Sequence, residues 1–328
     1  MLFINYILFT CYLASVSVDL GVLVSLVLSY LLTGISAFLV NDFYDQEIDL
    51  IAGKPNLTVK TNSYVIGFLV FLGFAVSFVL IQRTSLPGSY LLLGQFLALL
   101  VYSHPSVRLK TKPILGVIAD SVYAYIIPVL LLLVVYEIDV AEPKYLTFLL
   151  FNFSIGIRDI ILHQKEDEMN DLKSGINSFA IRYKTKLRTV VIISEFSASF
   201  SLCLFLLISF WKLENQNYLW GIVAAYLVIL LLQIFKTQKS IENNYLLRFY
   251  VVVTSSIIAL WIINENKYHY LILLIHPYFL QFFIEFFIWV KDLVAVIVNY
   301  LLYYTYKLAG RNLKEKPLYT RHDKKSSN

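Results

Sequence analysis

Leu20-Gly21-Val22-Leu23-Val24-Ser25-Leu26-Val27-Leu28-Ser29-Tyr30-Leu31-Leu32-Thr33-Gly34-Ile35-Ser36-Ala37-Phe38-Leu39-Val40, followed at once by Asn41-Asp42-Phe43-Tyr44-Asp45-Gln46-Glu47-Ile48-Asp49, decides how this chain is built. The first part carries no charge and has the length of a helix that crosses a hydrocarbon core of about 30 Å, which takes roughly 20 residues. The second part places three aspartates, Asp42, Asp45 and Asp49, directly at its end. Continued as a helix, it puts Asn41, Asp45 and Asp49 at i, i+4 and i+8, on one face, with Asp42 one turn before Asp45.

Working outward, further apolar runs occupy 1–17, 63–82, 88–103, 114–136, 143–162, 187–212, 218–236 and 247–264. With 20–40 they give nine expected spans. A tenth block, 268–290, follows, and 293–306 is short enough to lie in the interface. The composition agrees: 59% of residues are hydrophobic and only 15% charged, against about 25% charged in soluble domains. The expected fold class is an all-α, polytopic membrane helical bundle with nine core transmembrane helices and a C-terminal extra helix. The expected organisation is a membrane domain over 1–265, a further membrane or interfacial helix region over 266–309, and a basic cytoplasmic tail over 310–328. The first run lacks a basic leader and a distinct cleavage site, so it reads as a membrane helix rather than a cleaved signal. Cys11 and Cys203 both sit in apolar runs, which indicates neither a disulfide framework nor a cysteine metal site.

Loops 41–62, 104–113, 158–188 and 237–248 hold fourteen Lys and Arg, whereas the opposite turns hold four, Arg83, Lys144, Lys212 and Lys267. The positive-inside rule puts the first set, and with it the aspartates, in the cytoplasm. The net charge of +5 is therefore a signal of orientation toward the lipid bilayer, and no nucleic acid is expected as a partner.

A second acidic group, Asp167-Glu168-Met169-Asn170-Asp171, repeats the four-residue spacing with Asp167 and Asp171. Two carboxylates about 6 Å apart at an effective dielectric near 20 repel by roughly 3 kcal/mol, and a bound cation removes that cost. A donor set of oxygens without histidine or cysteine suits Mg²⁺, which is commonly shared between carboxylates and substrate phosphate. Asn41, Asp42, Asp45, Asp49, Asp167 and Asp171 are the candidate ligands. The plainer account is that the acids are solvated loop charges or helix caps; two clusters of the same spacing on one side of the membrane weigh against it. Between the clusters lies Tyr102-Ser103-His104-Pro105-Ser106-Val107-Arg108-Leu109-Lys110-Thr111-Lys112-Pro113. Arg108 and Lys110 are candidate phosphate contacts, Lys112 reads as a membrane anchor, and Arg158 is a further candidate cation.

At these residues the sequence resembles the UbiA superfamily of intramembrane prenyltransferases. The family's NxxxDxxxD motif is met by Asn41, Asp45 and Asp49, its DxxxD motif by Asp167 and Asp171, and its loop between the fourth and fifth helices by Tyr102 to Pro113. The resemblance covers roughly residues 1–265. It departs from the quinone and haem branches after Asp49, where Leu-Ile-Ala-Gly-Lys-Pro-Asn stands in place of an arginine-rich RTxxRPL stretch, and at His163-Gln164. The resemblance implies a bundle with a central cavity capped by the aspartate loops, Mg²⁺, and an isoprenyl diphosphate donor. It implies catalysis by Asp45, Asp49, Asp167 and Asp171, with Asn41, Tyr102, Arg108, Lys110 and Arg158 at the diphosphate. The acceptor is unidentified, aromatic or a lipid or sugar phosphate, and its proton is expected on His163 or Asp42. The competing expectations are a prenyl diphosphate hydrolase or cyclase-like enzyme using the same ionisation, and a membrane scaffold or transporter without chemistry.

Overall fold

The structure, a computed structural model, describes residues 19–210. The expected spans 1–17, 218–236 and 247–264, the block 268–290, the boundary at 265 and the basic tail lie outside the described residues. All regular elements among those residues are helical. In chain order they are α1 (Leu20–Ala52), α2 (Ser63–Thr84), α3 (Leu86–Ser103), a 3₁₀ turn (Leu109–Thr111) and α4 (Pro113–Ser121). A π-helical turn (Val122–Ile126), α5 (Ile127–Val135), α6 (Pro143–Glu166), α7 (Glu168–Ser174), α8 (Phe179–Arg182) and α9 (Lys184–Phe210) complete them. Among the described residues six rods are long and apolar enough to cross a membrane: α1, α2, α3, the continuous rod from α4 through α5, α6 and α9. The chain is a polytopic helical membrane protein.

The Asp19 carboxylate starts α1, accepting from the Gly21 amide at 2.8 Å. The helix then runs for 33 residues, about 50 Å at 1.5 Å per residue. That exceeds a hydrocarbon core of about 30 Å, so the last turns of α1 carry the Asn41–Asp49 face beyond the apolar run as helix, as the four-residue spacing expects. Gly53 ends it. Its φ of +74° is a left-handed conformation that glycine adopts without a Cβ clash, and it turns the chain so that Lys54 leaves α1 at the acidic end.

Small residues let the rods approach closely. Buried Ser29 on α1 and Ser77 on α2 each donate to the other's backbone carbonyl, at 3.3 and 3.4 Å; between α6 and α9 the Ser154 and Ser197 hydroxyls are 2.8 Å apart. Such contacts hold helices together where lipid supplies no hydrophobic drive between them. A Cβ on Gly156 of α6 would lie 3.0 Å from Cα and Cβ of Ser121 and from the ring carbon Cδ2 of Tyr125. Its absence seats α6 directly on the π-helical turn. Leu26, Ile81, Leu92, Leu131 and Val135 form one apolar cluster, and Val117, Ile160, Ile161, Leu187 and Val191 belong to another. Phe38, Phe68, Phe71, Phe196 and Phe200 are exposed, as a lipid-facing surface requires.

The structure revises one reading. Arg158 belongs to α6, which continues to Glu166 rather than ending near 162. Its side chain is 1% exposed, with Nε donating to Glu195 at 2.8 Å and Nη1 to Asp159 at 3.0 Å. The residue ties α6 to α9 inside the bundle instead of reporting orientation from a loop. Asp120, Arg158, Asp159 and Glu195 all lie within the membrane-crossing rods.

Candidate active site

The end of α1 presents Asn41, Asp42, Asp45 and Asp49, all half-buried. Asp45 is the best held. Arg108 donates to its Oδ1 through Nη2 at 2.8 Å, and the Lys110 ammonium binds both carboxylate oxygens. Lys110 also donates to Asn41 Oδ1 at 3.2 Å, which in turn receives the Ser103 hydroxyl at 3.4 Å. Burial holds the Lys110 ammonium below its ordinary pKa, and the Asp45 carboxylate opposes that shift.

The loop after α3 delivers both cations through a backbone that is not relaxed. Arg108 has φ +44°, a left-handed conformation that costs a non-glycine residue roughly 1–2 kcal/mol. Its Nε is buried without a hydrogen-bond partner. A charged donor left unmade in this way is costly, and a phosphate oxygen is a fitting acceptor for it.

After Gly53 the chain folds back onto α1. Asn56 donates through Nδ2 to Asp49 Oδ2 at 2.7 Å and to the Asp42 carbonyl at 2.8 Å, while its Oδ1 receives the Thr58 amide. Lys54 then reaches across to the second acidic group, pairing with Asp167 Oδ1 at 2.8 Å. That contact, with packing of α7 against α1, brings the two clusters together. His163 Nε2 lies 3.6 Å from Asp167 Oδ2, with its side chain 68% exposed. Burial raises the Asp171 carboxyl above the ordinary carboxylate range and the nearby Asp167 charge adds to the effect, against Lys54 and His163. Tyr102 is buried below, within electrostatic reach of Asp45 and Asp171.

Of the residues singled out from sequence, the structure thus gathers Asn41, Asp42, Asp45, Asp49, Tyr102, Arg108, Lys110, Asp167 and Asp171. It sets Arg158 on other acids. Lys54 and Asn56 were not foreseen as part of the site; the only signal was their place in the stretch that departs from the resembling family's arginine-rich one. Among the described residues no three His, Cys, Asp or Glu side chains form a ready-made metal cage. The donor set still fits Mg²⁺. Asp42, Asp45, Asp49, Asp167 and Asp171 against Lys54, Arg108 and Lys110 leave two negative charges, the charge of one divalent ion, and Mg²⁺ completes its shell from phosphate and water rather than from an all-protein cage.

The sequence profile of the UbiA prenyltransferase family matches residues 2–253. The chain belongs to that family. Among solved structures, a UbiA homolog from Archaeoglobus fulgidus bound to DMAPP and Mg²⁺ aligns at a TM-score of 0.61 and 15% identity, over 81% of this chain and 96% of that one. The same homolog bound to GPP and Mg²⁺ aligns at 0.59 and 16% identity, with the same coverage. At such identity the likeness concerns the fold. No curated protein matches the chain. Membership in the UbiA family is consistent with the helical bundle and with two acidic groups at one end of it.

Proposed function

We propose that this chain is a Mg²⁺-dependent intramembrane prenyltransferase, which moves an isoprenyl group from a prenyl diphosphate to an acceptor and releases pyrophosphate. The observation that carries the reading is the juxtaposition of two acidic groups with three interleaved cations at the end of an apolar bundle. One of those cations, Arg108, keeps a buried donor unpaired. The ligands DMAPP and GPP with Mg²⁺ in the Archaeoglobus fulgidus homolog are of the class this charge pattern suits.

In this reading Asn41, Asp42, Asp45, Asp49, Asp167 and Asp171 would hold Mg²⁺, which would neutralise the diphosphate and so ease its departure. Arg108, Lys110 and Lys54, which pair with Asp45 and Asp167, are placed to take phosphate oxygens. As the C1–O bond breaks, the developing charge on the leaving group meets cations already in position, which is how preorganised electrostatics lowers a barrier. The allylic cation left behind needs shelter from water, and the apolar bundle below the site supplies it. Arg158 has no part at the diphosphate in this scheme. The aspartate-bearing end faces the cytoplasm, by the distribution of loop cations. The catalytic membrane domain spans 1–265, with the 266–309 helix region and the basic tail 310–328 outside it.

Purified protein incubated with Mg²⁺, C10 to C55 prenyl diphosphates and candidate acceptors is expected to give a prenylated acceptor by mass spectrometry. Free prenol or a cyclised hydrocarbon in its place identifies a hydrolase or cyclase, and no Mg²⁺-dependent affinity for any prenyl diphosphate identifies a scaffold or transporter. Asp45→Ala and Asp171→Ala are each expected to abolish Mg²⁺-dependent pyrophosphate release from a folded protein. Full activity in either variant removes the assignment.

A further inference from the structure

Asp120 is an acid within a membrane-crossing rod that the diphosphate site does not use. Ionisable groups in such places are costly and tend to be retained for a purpose. The other acids inside the bundle are accounted for: Asp159 and Glu195 are paired with Arg158. Among the described residues no cation lies within 4 Å of Asp120, and its hydrogen bond is with a neutral group, the Tyr123 hydroxyl, which donates to Oδ1 at 2.8 Å. The residue is half-buried.

Its surroundings place it beside the reaction rather than against lipid. Tyr123 belongs to the π-helical turn Val122–Ile126, a local rewinding that is frequent at functional sites. The Tyr123 ring lies 5.2 Å from that of Tyr102, and the charges of Asp120, Asp45 and Asp171 all act on the Tyr102 hydroxyl. His163, which neighbours Asp167, is likewise within reach of both Asp120 and Asp171. Gly156 allows α6 to press on Ser121, the residue after Asp120.

A second, independent observation points to a ligand on this wall. Gln95 of α3 is 8% exposed, and its Nε2 donates to the Tyr123 carbonyl at 2.8 Å. Its Oε1 is buried with no partner. Tyr123 therefore stands between two under-used hydrogen-bond acceptors, a carboxylate without a counter-ion and an orphaned amide oxygen. A ligand that satisfies both must bring donors, and it must be small or thin enough to enter beside a prenyl chain.

Resting on the prenyltransferase reading, we propose that Asp120 is a catalytic residue: it binds the hydroxyl of a hydroxyl-bearing acceptor and takes its proton, with Tyr123 orienting the carboxylate and Gln95 Oε1 receiving a second hydroxyl. The acceptor oxygen forms a bond to C1 of the isoprenyl group. The C1–O bond to the diphosphate breaks with its electron pair leaving on pyrophosphate, and the acceptor's proton passes to Asp120. The product is an ether, and the proton acceptor is neither His163, which is largely exposed and beside Asp167, nor Asp42, which lies among the diphosphate acids.

The test compares wild-type full-length protein with Asp120→Asn and Tyr123→Phe, using Mg²⁺ and geranyl, farnesyl and geranylgeranyl diphosphates. Three quantities are read: donor affinity by calorimetry, transfer to hydroxyl nucleophiles (glycerol, glycerol 1-phosphate, ribose 5-phosphate and phenol), and transfer to azide, which carries no proton to remove. Donor affinity and azide product are expected to stay within threefold of wild type in both variants. Hydroxyl transfer is expected to fall about 100-fold in Asp120→Asn, the usual scale for loss of a general base, and less in Tyr123→Phe. Hydroxyl transfer within threefold of wild type in Asp120→Asn overturns the proposal. So does an equal loss of the azide product, which marks a structural role, and so does a wild type that makes azide product but transfers to no hydroxyl. A wild type that binds no donor with Mg²⁺, or gives no product with any nucleophile, overturns instead the prenyltransferase reading on which it rests.

Discussion

Arg108 and Arg158 bring the same guanidinium into opposite circumstances. Arg158 is enclosed, and its Nε and Nη1 donate to Glu195 and Asp159; Arg108 shares Asp45 with Lys110 and keeps a buried donor unmade. Removing one member of an enclosed ion network strands the others, at about 3–5 kcal/mol. Arg158→Ala is therefore expected to lower the melting temperature of the detergent-solubilised protein markedly. Arg108→Ala is expected to leave the melting temperature nearly unchanged and to weaken Mg²⁺-dependent geranyl diphosphate binding about tenfold, the scale of one hydrogen bond to a charged group. The opposite pattern in calorimetry and thermal unfolding would reverse the two roles. From sequence alone the arginines looked alike, because each lies near the end of an apolar run; what separates them is the partner across the bundle, Glu195 for one and Asp45 for the other. Lys54 and Asn56 were hidden for the same reason. Their partners are acids reached only after Gly53 turns the chain back.

At the scale of the element, α1 was the most legible part. Spacing of four between Asn41, Asp45 and Asp49 has a single-face meaning only if the helix continues past Val40, and it does so to Ala52. Glu47 lies in that extension and is exposed. Proline there removes a backbone donor and clashes with the preceding turn, costing about 3 kcal/mol, and it breaks the helix between Asp45 and Asp49. Glu47→Pro is expected to lose Mg²⁺-dependent binding of geranyl diphosphate while Glu47→Ala keeps it, both measured by calorimetry; equal binding by the two variants would show that the face need not be continuous. The rod from α4 to α5 was read as a plain apolar span, and its π-helical turn left no trace in the hydrophobic pattern, since one extra residue per turn shifts the face without changing composition. Gly156 is the other half of that junction. Gly156→Ala sets a methyl 3.0 Å from Ser121 backbone, and overpacking of this kind costs typically 1–3 kcal/mol, so a lower melting temperature is expected.

For the whole molecule, the distribution of charge makes the sharpest claim. The apolar majority specified spans by length, and those expected within 19–210 recur as α1, α2, α3, the α4–α5 rod, α6 and α9. Their pairing was not legible, because lipid-facing and core-facing residues are equally apolar; serine and glycine contacts such as Ser29 with Ser77 decide it. The cations carry the expected orientation. Arg158 drops out of the loop count, as it sits inside the bundle, yet Lys54, Arg108, Lys110, Lys112, Lys173 and others stay at the aspartate-bearing end. Because α6 crosses from Pro143 to Glu166, Glu142 and Lys173 flank it at opposite ends, and both are exposed. Single cysteines at these two places, in a chain whose Cys11 and Cys203 are replaced by alanine, make the orientation measurable with a membrane-impermeant maleimide. Glu142→Cys is expected to react in intact cells, and Lys173→Cys only after the membrane is opened. Labelling of Lys173→Cys in intact cells would put the diphosphate site outside the cytoplasm, and the charge asymmetry would then have to serve the bound diphosphate rather than the insertion of the chain.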